Sequence, residues 1–178
     1  MVQLSYFQEK DYQRLINWIP TEAFLIQWSG SQFSYPLTEE QIKNYCEGAN
    51  TASATTYIYN VHSKTNGEVI GHISLGRVNR RNRSARIGKV FIAPEYRGLG
   101  LSTYLINAIL EIAFAELALH RIELGVFDFN KRAIAVYEKA GFKKEGLKRE
   151  CQFVGQEFWS LWEMAILEQE WQEKRRNK

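Results

Sequence analysis

The chain predicts an α/β domain with one mixed, mostly antiparallel central sheet flanked by helices. Three observations carry this. Strand-like runs come first, followed by the order strand–helix–strand–helix–strand, which gives a mixed sheet. From Val90 to Ala108 an apolar run, Val90 to Ile92, stops at Pro94; a turn carries Arg97-Gly98-Leu99-Gly100, and an apolar-periodic helix begins. That turn joins the fourth strand to the third main helix. Finally, 178 residues that are 45% hydrophobic suffice for one domain with a substantial core.

The elements follow in order. Leu4 to Phe7 reads as a short strand, and Lys10 to Ile19 as a helix stopped by Pro20. Thr21 caps a short helix carrying Phe24, Leu25 and Trp28, and Ser29 to Pro36 is a loop. Thr38-Glu39-Glu40-Gln41 is a capping box opening a helix to about Glu47. Thr56 to His62 alternates as a strand, and Lys64-Thr65-Asn66-Gly67 is a turn. Val69 to Val78 and Ala85 to Ile92 are strands joined by an arginine-rich hairpin. Leu99 to Leu117 is the main helix, with Leu101, Tyr104, Leu105, Ala108 and Ile112 at core-facing spacing. Arg121 to Phe127 is a strand. Asn130 to Ala140 is a helix with Asn130 at its start and Gly141 just past its end. Phe142 to Val154 and Glu157 to Ile166 form a closing hairpin, and Glu168 to Lys178 is a charged tail read as a frayed helix.

The strand–turn–helix segment aims backbone N–H groups at an anion. The first N–H groups of a helix lack internal partners, and the helix dipole favours negative charge there. Gly98 and Gly100 let the backbone approach a phosphate with no Cβ in the way, and Arg97 supplies a fixed positive charge. The same glycines would also serve a plain connection. The segment is not a P-loop, because no Gly-Lys-Ser/Thr follows at the required spacing. It is a poor dinucleotide fingerprint too, with Ser102 in the third glycine's place.

Asn130 and Tyr137 lie about two helical turns apart on one face. The turn Arg97-Gly98-Leu99-Gly100-Leu101-Ser102 and the pattern Asn130-x-x-Ala133-x-x-x-Tyr137, followed by Gly141-Phe142, together resemble the GNAT family of N-acetyltransferases. The one departure is Ser102 in the last place of the family's pyrophosphate loop. Asn82 to Gly88 and Leu119 to Leu124 are similar to the RimJ/RimL branch, which acetylates ribosomal-protein N-termini and has spermidine and aminoglycoside acetyltransferases among its relatives.

The resemblance implies a GNAT domain over residues 1–167 with a tail over 168–178, and acetyl-CoA as acetyl donor. It implies that Arg97, Gly98, Leu99, Gly100, Leu101, Ser102 and Thr103 hold the pyrophosphate. Backbone at a bulge near Phe91 and Ile92 would pair with the pantetheine, and Asn130 would bond the cofactor or serve only as an N-cap. Tyr137 is the implied general acid, since a phenol with a pKa of about 10 can protonate a leaving thiolate; its alternative role is core packing. The acceptor is a primary amine on a peptide or small molecule, entering beside Phe24, Trp28, Phe33 and Tyr35, whose rings can hold a cation or simply pack beneath a loop. Few acids lie near in sequence (Glu22, Glu39 and Glu40), which favours a protein N-terminus or small amine over spermidine. Glu68, His72, Glu95 and Asp128 are all conceivable bases, and none is assigned.

Two other functions compete: a non-catalytic acyl-CoA sensor, and a ribosome- or RNA-binding module using Arg77, Arg80, Arg81, Arg83 and Arg86. Asn130 and Tyr137 favour the enzyme, and the lack of aromatics among the arginines makes nucleic acid a poor partner. The net charge of +3 is too small to argue for nucleic acid by itself. No apolar run reaches membrane-span length, and the N-terminus lacks signal-peptide features. Cys46 and Cys151 show no metal or redox spacing and suggest reduced thiols in the cytoplasm. His62, His72 and His120 have no ligand-like spacing, so no metal is expected. A homodimer is compatible with all of this.

Overall fold

The computed structural model describes residues 1–176. β1 (Val2–Tyr6) leads through a 3-10 turn at Glu9–Asp11 into α1 (Tyr12–Asn17). α2 (Glu22–Ser29) and α3 (Glu39–Cys46) follow, then β2 (Tyr57–Ser63), β3 (Val69–Asn79) and β4 (Ser84–Ile92). α4 (Leu101–Glu111) widens into a π turn at Ile112–Glu116 before β5 (Arg121–Phe127). α5 (Lys131–Ala140), the hairpin β6 (Lys143–Val154) and β7 (Glu157–Leu167), and α6 (Glu168–Arg176) complete the described chain.

The seven strands form one sheet in the order β1-β2-β3-β4-β5-β7-β6. Among the described residues only β4 and β5 pair in parallel. On one face α4 and α5 bury Leu105, Ile106, Ile109, Leu110 and Ile134 against Ile73, Leu75, Ile87 and Ile122. On the other, α1 to α3 bury Leu15, Leu25, Trp28 and Ile42 against Ile58 and Phe91.

The caps follow the sequence signals. The Thr21 hydroxyl accepts from the Phe24 N–H at 3.2 Å and the Thr38 hydroxyl from the Gln41 N–H at 3.3 Å. The box at Thr38 closes only halfway. Gln41 Nε2 donates to the Ser34 and Pro36 carbonyls at 3.1 and 3.0 Å, so it ties down the loop before the helix.

Three expectations shift. The main helix begins at Leu101 because Gly100 is left-handed (φ +72°) and cannot lie inside it. Its buried stripe is Leu105, Ile106, Ile109, Leu110, Ala113 and Phe114, whereas Tyr104 is 51% exposed. The tail is a docked helix over its described part. Trp171 packs on Phe114 at 5.1 Å, and Arg175 pairs with Glu111 at 2.5 Å.

One clamp holds the middle of the sheet. β4 and β5 pair only at Ser84–Arg121, Ala85–Ile122 and Arg86–Glu123, and then part. At the last pair the Arg86 guanidinium donates to Glu163 at 2.8 Å and Glu123 at 3.3 Å. Gly125 leaves room for it: a Cβ there would meet Arg86 Nη2 at 2.5 Å. Burial alone would raise the Glu163 carboxyl, but hydrogen bonds from Arg86 and Lys148 outweigh it and hold the group below its ordinary 4.5. Stability from a depressed carboxylate is full above about pH 4.5 and is lost as pH falls through the folded value. Glu163→Gln should therefore cost about 1.5–3 kcal/mol at pH 7. It should also flatten the acid limb of a melting-temperature-against-pH curve; an unchanged limb would show that the clamp contributes nothing.

Candidate active site

Where β4 and β5 part, β4 is bent by a bulge. His72 pairs with Phe91 and Ser74 with Gly88, so β4 carries one extra residue between them, and Lys89 takes a left-handed conformation (φ +52°). Phe91 and Ile92 bury their side chains, and Phe91 stacks on Trp18 at 4.8 Å. Any contact these two make in the gap is therefore made by backbone.

After Ile92 the chain turns through Pro94–Tyr96 into Arg97, Gly98 (φ +81°), the exposed Leu99, and Gly100. Nothing lies within 4 Å of a Cβ built on either glycine, so both face open space. No side chain caps α4; the Thr103 N–H bonds the Gly100 carbonyl at 3.1 Å, and the Leu101 and Ser102 N–H groups begin the helix without intrahelical acceptors. Arg97 is part of the frame as well as a charge. Its Nε donates to the Ile92 carbonyl at 2.9 Å, and its guanidinium lies 5.5 Å from the Phe91 ring centre.

Asn130 caps α5, its Oδ1 accepting from the Ala133 N–H at 3.2 Å, which leaves its amide nitrogen available. Gly141 ends the helix at φ +111°. Tyr137 is 8% exposed and packs edge-on to Phe142 at 5.9 Å. Burial pushes its hydroxyl up to about 12. The buried unpartnered side-chain polar atoms among the described residues are Trp28 Nε1 and His72 Nδ1. The Tyr137 hydroxyl has no hydrogen-bond partner among the described residues.

The sequence pattern of the acetyltransferase (GNAT) family matches residues 16–142. The chain belongs to this family. It is 34% identical over 122 residues to the spermidine N(1)-acetyltransferase of Vibrio cholerae, covering 62% of this chain and 70% of that one. It is 34% identical over 106 residues to the putative ribosomal N-acetyltransferase YdaF of Bacillus subtilis, covering 60% and 57%. The crystal structure of the Vibrio cholerae spermidine N-acetyltransferase with CoA and spermine superposes with a TM-score of 0.82 at 25% identity, covering 96% of this chain and 98% of that one. This GNAT protein is an acetyl-CoA-dependent N-acetyltransferase. The open gap between β4 and β5 and the uncapped glycine turn suit that donor.

On the α1–α3 face of this acetyltransferase the predicted aromatics are distributed unevenly. Trp28 is 7% exposed and stacks on Phe33 at 5.8 Å. Phe24 packs edge-on to Phe91 at 6.0 Å. Tyr35 is exposed, and its hydroxyl donates to the Pro20 carbonyl at 3.0 Å. A residue that sequence reasoning missed joins them. Lys89 Nζ donates to Gln32 Oε1 at 2.6 Å and lies over the rings of Tyr45 (4.6 Å) and Phe33 (5.6 Å).

The conceivable bases separate. Glu68 is held by Asn66 and the Tyr96 hydroxyl on the β2–β3 turn side. His72 is fully buried and pushed down to about 3, first by burial and then by the Lys89 charge, so its ring is neutral. Glu95 sits in the Pro94–Tyr96 turn, and Asp128 at the open end of β5. The arginine hairpin is largely engaged within the fold. Arg80 donates to the Ala52, Ser53 and Ala54 carbonyls and to Tyr57, Arg83 to Ala118 and Glu168, and Arg86 forms the clamp. Among the described residues no group of His, Cys, Asp and Glu gathers as a metal site, and no helix is long and apolar enough to cross a membrane.

Trp28 packs against Leu25, Phe33 and His72, so Trp28→Ala should cost about 3–5 kcal/mol in a urea titration. A loss below about 1 kcal/mol would show that the indole does not support this core.

Proposed function

We propose that the enzyme moves the acetyl group directly to a primary amine in a ternary complex, with Tyr137 as general acid. The observation that carries the reading is the Tyr137 hydroxyl, which has no hydrogen-bond partner among the described residues and is carried on the Asn130-capped helix. Acetyl-CoA, when bound, supplies the thioester whose carbon–sulfur bond breaks as the amine nitrogen bonds the carbonyl carbon. Gly98, Leu99, Gly100, Leu101, Ser102 and Thr103 would receive the pyrophosphate through N–H groups, with Arg97 beside them. Backbone N–H near Phe91 and Ile92 would polarise the carbonyl, and the Asn130 amide would steady the donor.

Tyr137 remains protonated throughout the physiological range, so it acts as a donor and passes its proton to the departing sulfur. The amine's own proton leaves to water, and no side chain is assigned to receive it. The acceptor is a primary amine on a protein N-terminus or a small molecule such as an aminoglycoside or polyamine, entering beside Phe24, Trp28, Phe33 and Tyr35. The likeness to a spermidine and a putative ribosomal N-acetyltransferase supports a primary-amine acceptor. Free Cys46 and Cys151 support a cytoplasmic setting, and the exposed Phe153 and Phe158 at the β6–β7 tip support self-association as a homodimer.

Gly100→Glu should abolish acetyl-CoA binding in calorimetry while circular dichroism still reports a folded chain. Unchanged affinity would remove the phosphate role of the turn. Tyr137→Phe should keep acetyl-CoA affinity within a few-fold and lower turnover by about 10²-fold or more, read as thiol release where chemistry limits the rate. Near-normal turnover would return Tyr137 to packing alone.

A further inference from the structure

We propose that Lys89 and Arg77 form an anion-reading pair beside the gap, so that the acceptor is a small primary amine that itself carries a carboxylate or phosphate. The inference rests on the acyl-transfer reading above and names the substrate class for that site.

Both residues are bulge residues. Arg77 (φ +53°) stands where β3 slips against β4 between Gly76 and Asn79, and Lys89 (φ +52°) where β4 slips against β3. L side chains rarely adopt this conformation, and each bulge re-aims a cation that regular pleating would place elsewhere. Arg77 lines a hollow of about 520 Å³ with Arg86, Glu123 and Glu163, on the sheet face shared with Phe91 and His72. Lys89 is directed to the same face, against Gln32 and Phe33 of the α2–α3 connection. The opposite face is closed by α4 and α5.

Charge balance on this face points to the ligand. Arg86 is matched by Glu163 and Glu123, Lys148 by Glu163, and Arg121 by Glu145. Lys89 and Arg77 have no carboxylate partner among the described residues. They also repel each other: burial, and then the Arg77 charge, push the Lys89 ammonium down to about 8. An anion held on this face near either cation offsets that repulsion.

The same geometry argues against a polycation. The Tyr45 and Phe33 rings, which would hold a substrate ammonium, already hold the chain's own. A second ammonium there would meet Lys89 at close range.

The test is thiol release from acetyl-CoA with matched acceptors: amino acids against their amides and decarboxylated amines, phosphoethanolamine against ethanolamine, and spermidine. The carboxylate and phosphate arms separate the two anions. The best anionic acceptor should exceed its neutral partner by about 10-fold or more in kcat/KM. Lys89→Gln and Arg77→Gln should erase that preference through KM and leave acetyl-CoA affinity unchanged, while Lys89→Arg keeps it. A spermidine or neutral-amine optimum that Lys89→Gln leaves intact overturns the pair. If no acceptor turns over, the same matched compounds are titrated calorimetrically with CoA present; anions binding no tighter than their neutral partners overturn it equally. Loss of acetyl-CoA binding by the wild-type protein would instead overturn the acyl-transfer reading.

Discussion

The structure depends on a sheet that must pair and part along the same two strands. β4 and β5 share three parallel pairs and then diverge, and Arg86 sits at the divergence between Glu123 and Glu163. A strand hydrogen-bonded on both edges has no backbone group left for a ligand. Divergence frees one edge, but it also removes ladder bonds from the middle of the sheet. The guanidinium ties β4 to β5 and β7 at the last backbone pair, where the ladder ends, and a side chain at Gly125 would crowd it. Separate cores cover the two faces of this sheet.

That division also separates the chemistry. Tyr137 and the start of α4 at Leu101 belong to the apolar cluster on the face covered by α4 and α5, and the glycine turn before them is exposed. The aromatics, His72 and Lys89 belong to the face covered by α1 to α3. On the proposed reading the donor's reactive end and the amine meet across the gap, each held by its own core. Burial on the two faces acts on different groups: it keeps Tyr137 protonated and makes it harder for His72 and Lys89 to hold a charge.

Much of this was legible in the residues where a local rule operates. β5 spans Arg121–Phe127 as the apolar run indicates, and Asn130 and Gly141 bound α5 through cap geometry that few other residues satisfy. The buried stripe of α4 was not legible. Leu101, Leu105, Ile106, Ile109, Leu110 and Ile112 surround that helix, so period alone does not select a face, and the template that included Tyr104 failed. The tail's charge concealed Trp171, the apolar anchor that with the Arg175–Glu111 pair docks α6.

The resemblance implied a bulge near Phe91 and Ile92, but the bulge at Arg77 and the left-handed residues at both bulges were the least legible features. Glycine or asparagine announces a left-handed position, but Arg77 and Lys89 are neither, and alternation alone would continue each strand through them. Only the register of β3 against β4 reveals the extra residues. Sequence reasoning therefore placed the aromatics beside the acceptor and asked which substrate cation they would hold. The fold supplies that cation itself. On the proposed reading, with the chain's own ammonium over Tyr45 and Phe33, the few acids near α2 and α3 fit the same electrostatics: a cation with no carboxylate partner among the described residues complements an acceptor's anionic end.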